Sequence, residues 1–274
     1  MMLDRPRWEA LGDVDVQRAS AARIYDYYLG GSHNFPVDRK VAEEVIRAWP
    51  DARHLAHAGR AFLRRAVTFL ADLGIDQFLH LGSGIPTRNN VHEVAFWSNP
   101  SARTVYVDSD PVAIAHSATL LADVPSAVAV HADLRDPALV LGHPVVREFL
   151  DFRRPVAVLM IAALPFVADS DGPGQIIAAY RQATVTGSYI AMAHGTRDYR
   201  PVEADRVITL YTNASQPITW RSRQQVAGLL AGYELVPPGL VDIIHWRPDA
   251  AEGIDPLHGD VTRYSTFAAV GRRA

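Results

Sequence analysis

Apolar residues recur with two different periods along this chain, and the change comes near residue 75. Before it the spacing is helical. Residues 1–20 read as a loose arm. A helix is expected from Ser20 to about Leu29, broken by Gly30-Gly31 and a polar loop through Pro36. Val41, Val45 and Ile46 mark a second helix, which Pro50 ends. Phe62, Ala66, Phe69, Leu70 and Leu73 form the apolar stripe of a third. Arg60, Arg64 and Arg65 fall largely on its other, solvated side, and Gly74 is its stop. Beyond it, short apolar runs alternate with helical ones. Strands are expected at Gln77–Leu81, Thr104–Val107, Ala127–Val130, Pro155–Ile161, Gly187–Ala193, Tyr233–Val236 and Tyr264–Val270. Helices fall around Val91–Ala95, Pro111–Leu121 and Ile176–Ala183, and behind the capping box Ser222-x-x-Gln225. Strands that are apolar throughout are buried on both faces, which implies a parallel sheet covered by helices on both sides. The expected fold is therefore α/β: a doubly wound, mostly parallel, seven-stranded sheet. Residues 1–74 form an N-terminal helical cap or lid, and residues 75–274 form one compact unit.

Composition narrows the function classes. Of the 274 residues 49% are hydrophobic, enough for a sizeable core. The net charge of −3, with acids and bases mixed, argues against a dedicated nucleic-acid binder. There is no cysteine, so disulfides, thiolate metal sites and cysteine nucleophiles are excluded. No apolar run reaches the roughly 18 residues of a spanning helix, and Met1–Trp8 is charged and proline-broken, unlike a signal peptide. A soluble cytoplasmic protein is expected, with no membrane partner and no evident nucleic-acid partner.

Three chemical features stand at the carboxyl ends of successive strands, where ligands bind in an open parallel sheet. The first is His80-Leu81-Gly82-Ser83-Gly84. Its glycines let a ligand approach the backbone, and the following helix start favours negative groups. The second is Asp108, 24 residues past Gly84 and next to Ser109, a carboxylate suited to a ribose diol. The third is Asp133 with Leu134, a carboxylate able to accept from an exocyclic amine such as that of adenine. Each alone is weak, since a strand ending in Asp is often only a turn or a cap. In register they point to an adenosine-type ligand. Thr87 stands where a dinucleotide fingerprint wants a third small residue, and no Gly-Lys-Ser/Thr occurs, so a triphosphate loop is rejected. S-adenosylmethionine is favoured over a nicotinamide cofactor. An NAD(P)-dependent oxidoreductase and a non-catalytic S-adenosylmethionine-binding protein remain the alternatives.

The chain resembles the class I S-adenosylmethionine-dependent methyltransferases and, more closely, an actinobacterial methyltransferase family of unassigned substrate. The resemblance covers nearly the whole chain. It rests on the stretch from Ala22 to Gly31 (ARIYDYYLGG), on Asn34-Phe35 and on Arg60–Arg65 (RAFLRR). It continues through Gln77–Thr87 (QFLHLGSGIPT), Asn90–Ala95 (NVHEVA) and Val105–Pro111 (VYVDSDP). It implies that Gly82 and Gly84 face the cofactor, that Asp108 holds the ribose and that Asp133 and Leu134 hold adenine. Ala162 and Ala163 would lie near the sulfonium, the last strand would run antiparallel, and the N-terminal helices would close over the site. His80 departs from the family pattern, which has an acidic residue there to hold the cofactor's amino group. A neutral imidazole can still accept a hydrogen bond.

Other candidates carry bland readings beside the functional ones. Tyr27, Gly31 and Asn34 would line a lid pocket, or they belong to a helix ending on a glycine cap with its aromatics in the core. His194, after the fifth strand, is a candidate base, as is Tyr27; a loop histidine bonded to backbone is the simpler reading. His54-x-x-His57 lacks a companion carboxylate and reads as a surface pair, so no metal site is expected. The acceptor is expected to be a small molecule, and neither its identity nor the oligomeric state is legible.

Overall fold

The computed structural model describes residues 17–86, 90–214 and 216–274. Most of the expected arm, residues 1–16, and Thr87 lie outside the described residues. Three helices come first: α1 (Ala21–Tyr28), α2 (Pro36–Ala48) and α3 (Ala52–Asp72). The sheet then begins with β1 (Gln77–Leu81), followed by α4 (Val91–Ser98), β2 (Arg103–Asp108), α5 (Pro111–Leu120) and β3 (Ala127–His131). Next come α6 (Pro137–Gly142), α7 (Pro144–Phe149), β4 (Ala157–Ile161), α8 (Pro173–Ala183) and β5 (Tyr189–Gly195). The chain continues through α9 (Pro201–Ala214), α10 (Arg223–Leu229), β6 (Glu234–Leu235), β7 (Val241–Asp242), α11 (Val261–Tyr264) and β8 (Thr266–Arg272).

The strands lie in the order β3-β2-β1-β4-β5-β8-β6, with β7 also pairing with β8. β1 to β5 are mutually parallel, and β8 runs antiparallel to β5. The chain leaves β1 towards β2 and β3, then returns to β4 on β1's other side. The loops after β1 and β4 therefore diverge and open a crevice at their carboxyl ends.

β1 and β4 are buried along their whole length, as their unbroken apolar sequence requires. Their alternate side chains serve two cores. Phe78, Leu159 and Ala191 meet Phe62, Ala66 and Leu70 of α3, together with Trp246. Leu79, Val158 and Met192 meet Val146 of α7, Ile176 and Tyr180 of α8 and Val226 of α10. α3 thus packs on the sheet. A third core joins α1, α2 and the start of α3 to α9 through Ile24, Tyr28, Val45, Trp49, Val207 and Tyr211.

The sheet has eight strands among the described residues, one more than expected. Both short segments, β6 and β7, lie along the same flank of β8. Pro237 and Pro238 stand between them and have no N–H to donate, so one edge strand is cut into two. Arg64 and Arg65 are not a solvated face. Arg65 is buried, donating to the carbonyls of Trp246 (2.8 Å) and Ile243 (2.8 Å) and pairing with Glu252; Arg64 pairs with Asp249 and Glu252. These arginines tie the 243–252 segment to α3.

Phe62 is fully buried and meets the Trp246 ring edge-to-face at 5.3 Å. Phe62→Ala is expected to cost about 3–5 kcal/mol. Trp97→Ala, at a side chain 85% exposed, is expected to cost within about 0.5 kcal/mol. Chemical denaturation of the two variants checks the contrast.

Candidate active site

The crevice between the loops after β1 and β4 opens into a cavity of about 740 Å³, within the roughly 300–1,000 Å³ range of small-molecule sites. Its polar end is built from strand ends. Gly82, Ser83 and Gly84 turn the chain out of β1, with φ of 64° at Gly82 and 61° at Gly84. A Cβ on Gly82 would stand 2.4 Å from the Cβ of Ala163, whereas one on Gly84 would enter open space. The backbone at Gly84 is thus bare towards the cavity.

Asp108, at the end of β2, is buried and lines the same end. Its Oδ2 accepts from the Gly84 N–H at 2.7 Å and its Oδ1 from the Asp110 N–H at 2.9 Å. Burial pushes its carboxyl up to about 6, with those N–H groups working against the shift. At neutral pH it is an anion with lone pairs left for hydroxyl donors. Ser109, Leu134, Ala162 and Ala163 complete this end. Ala162 holds a left-handed φ of 58°, strain that a residue without glycine's freedom tolerates only when its surroundings enforce it. The Ala162 N–H donates to the Ala193 carbonyl at 3.0 Å.

His80 lies in the cavity wall on the α3 side of β1. Burial, with the Arg60 charge adding to it, lowers its pKa to about 3, so the ring is neutral. Its Nδ1 is buried and without a hydrogen-bond partner among the described residues. Such an atom costs free energy unless a ligand or water meets it. The Arg60 guanidinium also lines the cavity and donates to the Ile85 carbonyl at 3.3 Å.

Several expected site residues are placed elsewhere. Asp133 does not line the cavity although Leu134 does; its carboxylate is gripped by Arg135 at 2.6–3.1 Å. Partial burial raises its pKa, but the Arg135 bonds outweigh this and hold it below the usual carboxylate range. Gly31 and Asn34 belong to a turn closed on Asp26. The Asp26 Oδ2 accepts from the His33 N–H and the Asn34 side-chain amide, both at 2.8 Å, and a Cβ on Gly31 would strike Asp26 at 2.0 Å. Tyr27 donates its hydroxyl to Glu43. None of the three lines the cavity.

His194 is corrected likewise. Alternation along β5 puts Ala193 and Gly195 on the cavity and His194 on the opposite side. Its Nδ1 lies 2.7 Å from the Gly195 carbonyl, and its Nε2 takes a hydrogen bond from Arg221 at 2.9 Å. Burial lowers its pKa to about 4, with the Gly195 carbonyl opposing. With both nitrogens engaged and the ring turned away, it is no base for this cavity.

The apolar end was not foreseen. Tyr28, Trp49, Phe166, Tyr211, Ile218 and Trp220 wall it, contributed by α1, α2, the loop after β4, α9 and the segment before α10. Buried Arg221 organises part of this wall, donating to the carbonyls of Leu164 (3.2 Å) and Val167 (2.7 Å) and pairing with Asp169 at 2.7 Å. The spacing of Ala204, Val207 and Tyr211 was the available signal for α9. At the seam between the ends, Asp110 caps α5 through Val112 N at 2.8 Å. The same carboxylate accepts from the Ser20 hydroxyl and lies 3.7 Å from Arg23.

A protein-family model described as S-adenosyl methyltransferase matches residues 8–274. A DUF574-family protein of Streptomyces avermitilis is 38% identical, with a TM-score of 0.90 over 95% of this chain and 100% of that one. A candidate methyltransferase of Thermobifida fusca is 36% identical, with a TM-score of 0.89 over 96% and 97%. Human N-acetylserotonin methyltransferase, solved with S-adenosylmethionine, is 13% identical with a TM-score of 0.50 over 97% and 66%, a likeness of fold alone. Among curated proteins, none matches the sequence.

Gly82 and Gly84 share a left-handed backbone but not their surroundings. Gly84→Ala is expected to lose about 1–2 kcal/mol for its φ alone. Gly82→Ala is expected to lose more, because the new methyl also meets Ala163. Denaturant titration of both variants tests the order.

Proposed function

The chain belongs to the S-adenosyl methyltransferase family, and from that premise we propose that it methylates a small-molecule acceptor held beside the cofactor in this one cavity. The observation that carries the reading is continuity. The same 740 Å³ space touches Asp108 and the bare Gly84 backbone at one end and an aromatic wall at the other. Donor and acceptor therefore share a single chamber.

The residues present fit the cofactor. Asp108 would hold the ribose hydroxyls, and Leu134 would lie against the adenine. The orphaned His80 Nδ1 and the Arg60 guanidinium would meet the polar amino-acid end. Asp133, clamped by Arg135, is left to shape the loop after β3. When bound, S-adenosylmethionine supplies a methyl group on a sulfonium, already activated for in-line transfer to a lone pair. The protein's part is alignment and exclusion of water. α1, α2 and α9 act as the lid, tied down where Ser20 and Arg23 reach Asp110. Phenols in the wall are poor bases. Burial pushes Tyr211 up to about 12, and burial together with Tyr211 raises Tyr28 well above the ordinary value. They serve as neutral hydrogen-bonding groups and not as bases.

Calorimetric titration with S-adenosylmethionine tests the reading, and absence of binding overturns it. Asp108→Asn is expected to cost about 2–4 kcal/mol in affinity, from hydrogen bonds to a charged acceptor, or roughly 30- to 1,000-fold. A pH series gives an independent check. Hydroxyl donors favour the ionised carboxylate, whose pKa is raised to about 6 in the free protein. Affinity should be level above pH 7 and fall by up to about tenfold per unit once pH drops below that value.

A further inference from the structure

This inference rests on the proposed methyl-transfer reading and names the class of acceptor. Charge is divided unevenly over the cavity. Asp108, Asp110 and Arg135 belong to the loops after β2 and β3. Arg23 lies 3.7 Å from Asp110, Arg60 reaches the Ile85 carbonyl, and the Arg18 carbonyl accepts from Arg23. The charged side chains of Asp108, Asp110, Arg23 and Arg60 on the described lining thus stand at the cofactor end or at the seam beside it. The opposite end offers aromatic faces and a few neutral polar groups. An ion entering there would shed its hydration with no charged side chain on the aromatic lining itself to meet it, the Arg200 guanidinium lying 5.9 Å from the Trp49 ring centre.

The shape of that end is set by rings. Trp49 and Trp220 meet edge-to-face at 5.4 Å and 89°, and Phe166 meets Tyr211 at 5.9 Å and 64°. The Trp49 indole N–H is spent on the Arg263 carbonyl at 3.2 Å, which fixes that ring. Trp220 lies flush with the end of β5, its Nε1 2.6 Å from where a Cβ on Gly195 would stand. Only glycine at 195 leaves room for it. Trp220 lines the cavity, and among the described residues its Nε1–H makes no hydrogen bond. It is a donor on a largely aromatic wall that also carries the Tyr28 and Tyr211 hydroxyls.

We propose that the aromatic end receives a planar, uncharged aromatic or heteroaromatic acceptor, oriented by a hydrogen bond from the Trp220 indole N–H to a ring nitrogen or carbonyl oxygen. Flat rings stack or edge-pack against such walls better than aliphatic groups of equal volume. The Trp220 donor favours a ligand with an acceptor atom at its ring edge.

Ligand-observed NMR titration at pH 8 tests this on the full chain, with and without saturating S-adenosylhomocysteine. Three probes of similar size separate the terms: quinoline (planar, neutral), quinoline-3-carboxylate (planar, anionic) and cyclooctanone (neutral, not planar). Quinoline is expected to bind at least tenfold more tightly than either of the others. Trp220→Phe keeps a ring but removes the donor; it should weaken quinoline at least threefold and leave S-adenosylhomocysteine within twofold. Equal or tighter binding of the carboxylate or of cyclooctanone, no quinoline binding, or an unchanged quinoline affinity in Trp220→Phe overturns the proposal. If S-adenosylhomocysteine does not bind but the quinoline preference and its loss in Trp220→Phe persist, the ligand class of the aromatic end stands and the methyl-transfer reading falls.

Discussion

One buried carboxylate ties the ligand-facing turns together. Asp108 accepts from Gly84 on the turn after β1 and from Asp110 on the turn after β2. It therefore sets the distance between the glycine backbone and the start of α5. The cost is desolvation, visible as a carboxyl raised to about 6. An anion kept in such a place without a countercharge in direct contact is held by N–H dipoles alone, and its unspent lone pairs face the cavity. The same geometry that stabilises the turns leaves an acceptor ready for a diol.

The N-terminal helices are attached to this centre by a second set of carboxylates. Asp38 takes the Ser20 N–H (2.9 Å), the Phe35 N–H (2.8 Å) and the Arg23 guanidinium (2.9 Å), which folds the start of α1 onto α2. Asp110 then joins that unit to the sheet through Ser20 and Arg23. α9 closes the other side, and its Val207 and Tyr211 share a core with Val45 and Trp49. The aromatic chamber is thus assembled from five parts of the chain, namely α1, α2, the loop after β4, α9 and the segment before α10. Each of them is otherwise a helix or loop with an ordinary apolar stripe.

Much of the frame was legible because its physics is local. Short apolar runs bounded by turn residues suit strands buried on both faces, and β1 to β5 appear within a few residues of where those runs lie. The capping box at Ser222 and Gln225 forms as its spacing requires. The glycine turn and Asp108 were legible for the same reason, since their roles depend on the end of one strand. The last strand's antiparallel course, implied by family resemblance, is what the structure contains. Tyr27, Gly31, Asn34, Asp133 and His194 went the other way. Their residue types suit a site, but Asp26, Glu43, Arg135 and Arg221 claim their polar atoms first. Those partners come from within the same turn, the next helix or a distant loop, and no spacing rule reveals which will win.

The sequence by itself determined the fold class, the parallel frame and the glycine turn with its strand-end carboxylate, because periodicity, glycine torsion and a strand end act over a few residues. Only the tertiary structure decided which side of β5 faces the cavity and which aromatic rings meet. It alone brought α9 over the sheet and left the His80 and Trp220 nitrogens free. Those outcomes depend on contacts between residues more than a hundred positions apart, such as Trp49 with Trp220, and distance in space is settled by packing rather than by order along the chain.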